Sequence, residues 1–317
     1  MKDILLGMSI GDAVGVPYEF ISKDNMELNP CTDMIGYGVH NQPIGTWSDD
    51  SSMAFCMLES LISGWDMRDM GNRFVNWYRN GYWTPHGRVF DMGGTTQMAI
   101  LKLEKGKLPP NCCGGMDLHS NGNGSLMRIL PIVPYFIDNG IENSAHRYKM
   151  VSDLSCLTHG HQLSVMSCFI LTEFARKLYL NRHKSNKNHV KKAAFLEMHN
   201  GIASIKGVLH FDLDYFEKFQ LVFDGDLGET KDISVFSGSG YCIDTLTSSI
   251  WCLLSTDNYR DAVLKAVNLG DDTDTTACVT GGLAGILYGV EDIPDTWLDN
   301  LVRKDDIIDL AKRYDER

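Results

Sequence analysis

The chain has 317 residues, enough for one large domain or two modest ones with a sizeable core. Apolar residues make up 44% and charged residues 22%, which are ordinary globular proportions, and 29 basic against 41 acidic residues leave a net charge of −12. The acidic surplus excludes non-specific binding to nucleic acid or to anionic membranes, because no basic excess exists to meet phosphates.

Residues 1–7 lack the basic flank, apolar core and small-residue cleavage site of a leader. They open an apolar helix that ends in GDAVGVPYEF (11–20), where two glycines, then Pro17 and Glu19, mark a turn into a loop. Glu19 is there either a solvent-facing residue after a helix end or a group with a task. Next comes GTWSDDSS (45–52), ahead of a helix expected over 51–63 with Met53, Cys56, Met57, Leu58 and Leu61 on one stripe.

Similar spacing predicts helices over 95–103 and 126–137. The second is preceded by Asn121-Gly122-Asn123-Gly124-Ser125, whose backbone N–H groups at a helix start can point at an anion such as a diphosphate, or simply form a tight turn. Thr158-His159-Gly160-His161 reads as a helix–helix corner before a helix over 163–180. Residues 181–199, basic and polar at first, read as a surface turn leading into a helix, and 220–223 as a short extended piece. Gly238-Ser239-Gly240-Tyr241 offers a flexible loop and an aromatic face, followed by helices over 241–254 and 259–267.

The stretch 275–288, read as a helix, is apolar nearly all round and rich in Gly and Ala. It is expected to be buried, with its small residues allowing close approach. The apolar run 277–289 is too short to span a bilayer. Nine cysteines are scattered without Cys-x-x-Cys spacing, and adjacent Cys112-Cys113 makes a poor zinc chelate, so reduced thiols in a soluble, cytoplasmic protein are expected. No linker, repeat or low-complexity tract divides the chain, and a single domain over 1–317 is expected.

Two segments carry metal chemistry. Ser48-Asp49-Asp50 and Asp272-Thr273-Asp274-Thr275 each combine carboxylates with hydroxyls where a helix begins. Oxygen-only donors of this kind suit hard cations such as Mg2+, Mn2+ or Ca2+. Carboxylates from two distant segments repel one another unless something positive sits between them. Each cluster also reads as a helix N-cap, but a cap needs one acceptor and the first turn supplies three oxygen-bearing side chains in succession. The second also fits the Asp-x-Asp-x-Thr nucleophile motif of haloacid-dehalogenase-like phosphotransferases, yet that motif belongs after a buried strand and here follows a helical pattern.

Taken together, these segments resemble the ADP-ribosylglycohydrolase family, which includes dinitrogenase reductase-activating glycohydrolase. The matching pieces are GDAVGVPYEF (11–20), GTWSDDSS (45–52), FDMGGTT (90–96), NGNGSLMR (121–128), THGH (158–161), GSGYCIDTL (238–246) and NLGDDTDTTACVTGGLAGILYG (268–289), leaving the ends and 181–235 uncovered. The resemblance implies an all-α, compact, single-domain orthogonal helical bundle with a binuclear Mg2+ centre, Mn2+ being possible, in a cleft. Ser48, Asp49 and Asp50 match one ligand group, with threonine in place of Ser48 in many relatives, and Asp272, Asp274 and Thr275 match the other. Asp271 falls where many relatives carry glycine. Gly122, Asn123, Gly124 and Ser125 are implied at the ADP-ribose, His159 and Tyr241 in substrate contact, and Glu19 as the acid of a mobile loop near the metals.

The implied activity is hydrolysis of ADP-ribose from a modified acceptor, foremost the N-glycosidic bond of ADP-ribosyl-arginine. The alternatives are a serine-linked or other O-linked bond, and a catalytically silent ADP-ribose-binding relative. Glu19, Asp49, Asp50 and Asp272 are the candidates for handling the proton or the attacking water. The expected partners are an ADP-ribosylated protein or small molecule and the product ADP-ribose, with a monomer as the default.

Overall fold

Gly11 and Gly15 lie four residues apart on one face of the first helix, Lys2–Gly15. That face packs along the helix Thr273–Tyr288 in the computed structural model, which describes residues 1–205, 213–223 and 225–317. A Cβ at Gly11 would collide with the carbonyl of Ala277, and one at Gly15 with the backbone of Asp274. Only bare backbone lets the two helices approach this closely. Tyr259 Oη donates to Gly7 O at 2.6 Å, and Thr273 Oγ1 donates to Gly15 O at 2.8 Å, which locks the register. The small residues of the last long helix thus do what their composition predicts.

Other helices wrap this pair. Cys242–Leu254 and Tyr259–Val267 pack against Thr273–Tyr288, and Gln162–Asn181 packs against Cys242–Leu254 and carries Lys187–Ile205 outside it. On the opposite side Asp49–Ser63 packs on Met67–Asn80, which in turn packs on Gly94–Lys105. Trp47, Phe55, Phe74, Phe136, Phe169 and Phe174 are fully buried within one contiguous apolar cluster. Removing each ring from water contributes roughly 1.5–3 kcal/mol. Every regular element among the described residues is helical; the extended pairings are single bridges, Tyr37 with Gln42, Gly115 with His159 and Gly122 with Tyr241. No described helix is long and apolar enough to cross a membrane.

Two expected elements differ. Residues 126–131 form turns, and the helix spans Ile132–Asp138 instead of 126–137. Pro131 and Pro134 lack the N–H that an earlier start would need, and each disfavours helix in the residue before it. The carbonyl of Gly124 is meanwhile taken by the buried Arg128 guanidinium. Residues 220–223 are turns closing on the short helix Leu213–Glu217, where an extended piece is expected. Residues 206–212 and 224, inside the 181–235 stretch left uncovered by the motifs, lie outside the described residues.

Candidate active site

Asp12, in the interior of the first helix, is wholly buried and spends both oxygens on one turn. Oδ1 accepts from Ser48 N at 2.9 Å, and Oδ2 accepts from Ser51 N at 3.1 Å and Ser51 Oγ at 2.6 Å. This pins the start of Asp49–Ser63 onto the first helix, whose glycine face pins it to Thr273–Tyr288. The two acid-plus-hydroxyl clusters therefore meet: Thr275 Oγ1 donates to Asp50 Oδ1 at 3.3 Å across 225 positions of sequence. Ser48 is also a true N-cap, its Oγ accepting from Asp50 N at 3.3 Å. The cap reading holds for that residue alongside its place in the cluster.

A cleft of about 350 Å3 opens over these groups. Of the residues singled out from the sequence, Glu19, Asp49, Asp50, Gly122, Asn123, Gly124, His159, Asp272 and Thr275 line it. Asp274 is buried just behind, within 4.8 Å of ligand atoms of Glu19 and Asp272. Asn123 Nδ2 donates to Asp272 Oδ2 and to Thr245 Oγ1, both at 2.9 Å, so the Gly-Asn-Gly turn orients a cluster carboxylate directly. That turn is no helix start, contrary to the expectation, because the chain continues into further turns.

Two residues implied at the substrate do not line the cleft, and Asp271, whose direction the sequence leaves open, faces solvent. Ser125 is buried behind the cleft, bonded to Ser155 Oγ at 2.9 Å and near Cys168 Sγ at 3.4 Å. Tyr241 caps Cys242–Leu254 and does not line the cleft; its backbone pairs with Gly122, and Gly240 takes the place at the wall. Asp271 is exposed and takes a left-handed backbone with φ 57°.

The electrostatics ask for a cation. Asp49, Asp50 and Asp274 are fully buried, and burial first, then mutual repulsion with Asp12, Asp91, Asp272 and Glu19, holds their carboxyls well above the ordinary range. Asp50 Oδ2 and Asp272 Oδ1 are buried with no hydrogen-bond partner. Such orphaned acceptors cost about 1–3 kcal/mol each unless something satisfies them. The oxygen donors of Asp49, Asp50, Asp272, Asp274 and Thr275 fit hard divalent ions. Cys278 neighbours Asp12 and Asp50, and burial first, then the surrounding acids, push its thiol well up; its sulfur is also a softer donor than a hard cation prefers.

Around the site Glu19 stands where the sequence places a candidate acid, while His40, Asp91, Asp12 and Phe20 join it without having been singled out. Glu19 is buried, pushed up to about 7 chiefly by that burial, and held by a very short contact to His40 Nε2. Asp91, in the loop before Gly94–Lys105, reaches the same cleft and lies in hydrogen-bond contact with Asp49. Asp12 is the anchor described above, pushed up to about 7 by burial. Phe20, mostly exposed, forms part of the wall. A charged residue inside an otherwise apolar helix was a usable signal for Asp12; an acid one residue ahead of Gly93-Gly94 was a weaker one for Asp91.

His159 is buried at the corner between Ser144–Cys156 and Gln162–Asn181, as its loop position predicts. Burial first and the Arg128 charge second push it down to about 3, so it is neutral. Its ring lies against Gly124, where a Cβ would strike it.

A family model described as ADP-ribosylglycohydrolase matches residues 1–317. An ADP-ribosylarginine hydrolase Tri1 of Serratia proteamaculans is 33% identical over 98% of this chain and 78% of its own length. The ADP-ribosyl-[dinitrogen reductase] glycohydrolase of Rhodospirillum rubrum is 27% identical over 94% of this chain and 89% of its own. A solved structure of an ADP-ribosylglycohydrolase-related protein complex superposes with a TM-score of 0.75 at 26% identity, covering 99% of this chain and 95% of that one.

Proposed function

The chain belongs to the ADP-ribosylglycohydrolase family, a family of hydrolases, and from that premise we propose that it removes ADP-ribose from modified arginine with the help of Mg2+ or Mn2+. The observation that carries the reading is the meeting of Asp49 and Asp50 with Asp272, Asp274 and Thr275 beneath one cleft, with two buried carboxylate oxygens left unsatisfied. The relatives named for arginine-linked ADP-ribose, 33% and 31% identical, support the choice of acceptor. Nine cysteines, none in a disulfide, fit a reducing, cytoplasmic setting.

Divalent cations held by the two clusters would supply Lewis acidity toward sugar hydroxyls and water. The chain's own residues do the rest. Gly122 and Gly124 line the cleft, and the bare backbone of Gly124 lets the His159 ring and Thr96 pack against it where a side chain would strike them. Asn123 fixes Asp272, so the carboxylate need not reorganise when substrate arrives. Glu19, with a proton affinity near neutrality and a place on the wall, is suited to give a proton to the departing guanidine or take one from water. Neutral His159 presents a hydrogen-bonding ring without adding charge beside the acids.

The test is release of free ADP-ribose from ADP-ribosyl-arginine, run beside serine-linked and nucleic-acid-linked substrates with each metal. Arginine-selective, metal-dependent release is the expected result. No release by the wild-type protein, or undiminished release after Asp50→Ala, would sink the reading; ADP-ribose binding without turnover would mark a silent relative.

A further inference from the structure

The cleft continues beyond the acids. At Asp91 and Met92, which line both, it runs into a second and more open groove of about 570 Å3 bounded by residues 78–81 and 87–92. Arg88 lines this groove but not the cleft, is exposed, and has no ion pair or hydrogen bond among the described residues. Its neighbour Arg79 is occupied, donating to Glu104 through Nε at 2.8 Å and Nη2 at 2.7 Å. A row of rings joins the two hollows: Phe20 on the cleft wall, then His40 and Phe90, with successive centroids 5.8 and 5.4 Å apart. Phe20 is 67% exposed.

An unpaired guanidinium thus shares a groove with half-buried Tyr78 and Phe90, on a chain of net charge −12. Arginine and aromatic side chains are also the ones that dominate interface energetics. The charges are ordered along the path, acid at the shared end and cation in the groove alone. A modified arginine entering the cleft, with an acidic neighbour trailing outside, meets them in complementary order. We propose that the groove binds the polypeptide flanking the modified arginine of a protein substrate, and that Arg88 selects segments with acidic residues beside it. The inference rests on the hydrolase reading above and adds the class of protein substrate to it.

The test uses the metal-loaded full chain and two ADP-ribosylated peptides that differ only in Glu or Lys beside the modified arginine, together with free ADP-ribosyl-arginine. The expected result is a preference of about tenfold in kcat/KM for the Glu peptide, carried by KM, that collapses in Arg88→Glu while hydrolysis of free ADP-ribosyl-arginine stays within about twofold. Equal rates on the two peptides overturn the proposal. So does a Kd for free ADP-ribose that weakens in Arg88→Glu as much as the peptide KM does, because Arg88 would then be holding the diphosphate. Fluorescence anisotropy of the same labelled peptides reads the preference without bond cleavage. A Glu preference there, with no hydrolysis of any substrate, would defeat the hydrolase reading and leave the groove's selectivity standing.

Discussion

Phe20 and Asp271 both hold left-handed backbone, at φ 65° and 57°, and they are bonded to each other: Phe20 N–H donates to Asp271 O at 2.6 Å. Asp271 N–H returns the contact to Ile21 O at 2.7 Å. The loop carrying Glu19 and the turn carrying Asp272 are thereby one backbone unit. Two non-glycine residues in this region store on the order of 1–3 kcal/mol each.

The exposed side chain of Asp271 and its φ explain why glycine is at home in that place. Asp271→Gly is expected to keep full activity and to shift unfolding stability by less than about 1 kcal/mol. Asp271→Val, a β-branched residue forced left-handed, is expected to cost about 2 kcal/mol and to lower kcat through the displaced Glu19 loop. Chemical denaturation and steady-state kinetics on the pair check both.

Removing one acid from the crowded cluster separates repulsion from metal binding. Asp50→Asn is expected to raise the thermal midpoint of the chelator-treated protein by about 2–4 °C, because burial and four neighbouring acids oppose its charge. The wild type is expected to gain about 2–3 kcal/mol from Mg2+ at a hundredfold excess over Kd, a gain the variant loses. Differential scanning calorimetry with and without Mg2+ decides; an unchanged Mg2+ response in Asp50→Asn contradicts the site.

His159 makes a pH prediction. Its folded value lies near 3 against an ordinary 6.5, so between those values the unfolded chain holds a proton that the folded chain refuses. Stability is then complete above pH 6.5 and falls as pH falls, by about 2 kcal/mol at pH 5. His159→Asn is expected to remove this slope. Urea titrations of both proteins, compared as a difference, cancel the common titration of the carboxylates.

Gly11 sets the spacing of the central helix pair. Gly11→Ala is expected to cost about 3 kcal/mol or more, since the new methyl meets the Ala277 carbonyl with backbone on both sides. It is also expected to weaken Mg2+ affinity by spreading the clusters. Gly201→Ala, in a helix with nothing within 4 Å of the added carbon, is expected to be stabilising by about 0.5–1 kcal/mol. Equal effects from the two substitutions would contradict the close-packing argument.

Much of this was legible in the sequence because the signals were local. The stripes over 51–63, 163–180 and 259–267 became helices within one or two residues, and the two acid clusters announced themselves by composition. The expected helix over 126–137 failed because apolar spacing persists across Pro131 and Pro134, where backbone bonding cannot. Tyr241 looked like a ligand platform, yet its backbone pairs with Gly122 and it is Gly240 beside it that lines the cleft. His40 meets Glu19 across 21 positions and Asp12 meets Ser48 across 36, and contacts of that reach leave no trace in spacing.

The glycine-faced pairing of the first helix with Thr273–Tyr288 also governs how this protein comes into being. The helix that fills the face of the first one follows it more than 250 residues later in the chain. Until it docks, Asp12 and the bare glycine backbone have no proper neighbour, and neither acid cluster has its other half. Closure of such distant segments is slow and leaves apolar surface open meanwhile. Residues 1–272 therefore hold only one of the two acid clusters whole, and the pair is completed in one step when Thr273–Tyr288 docks.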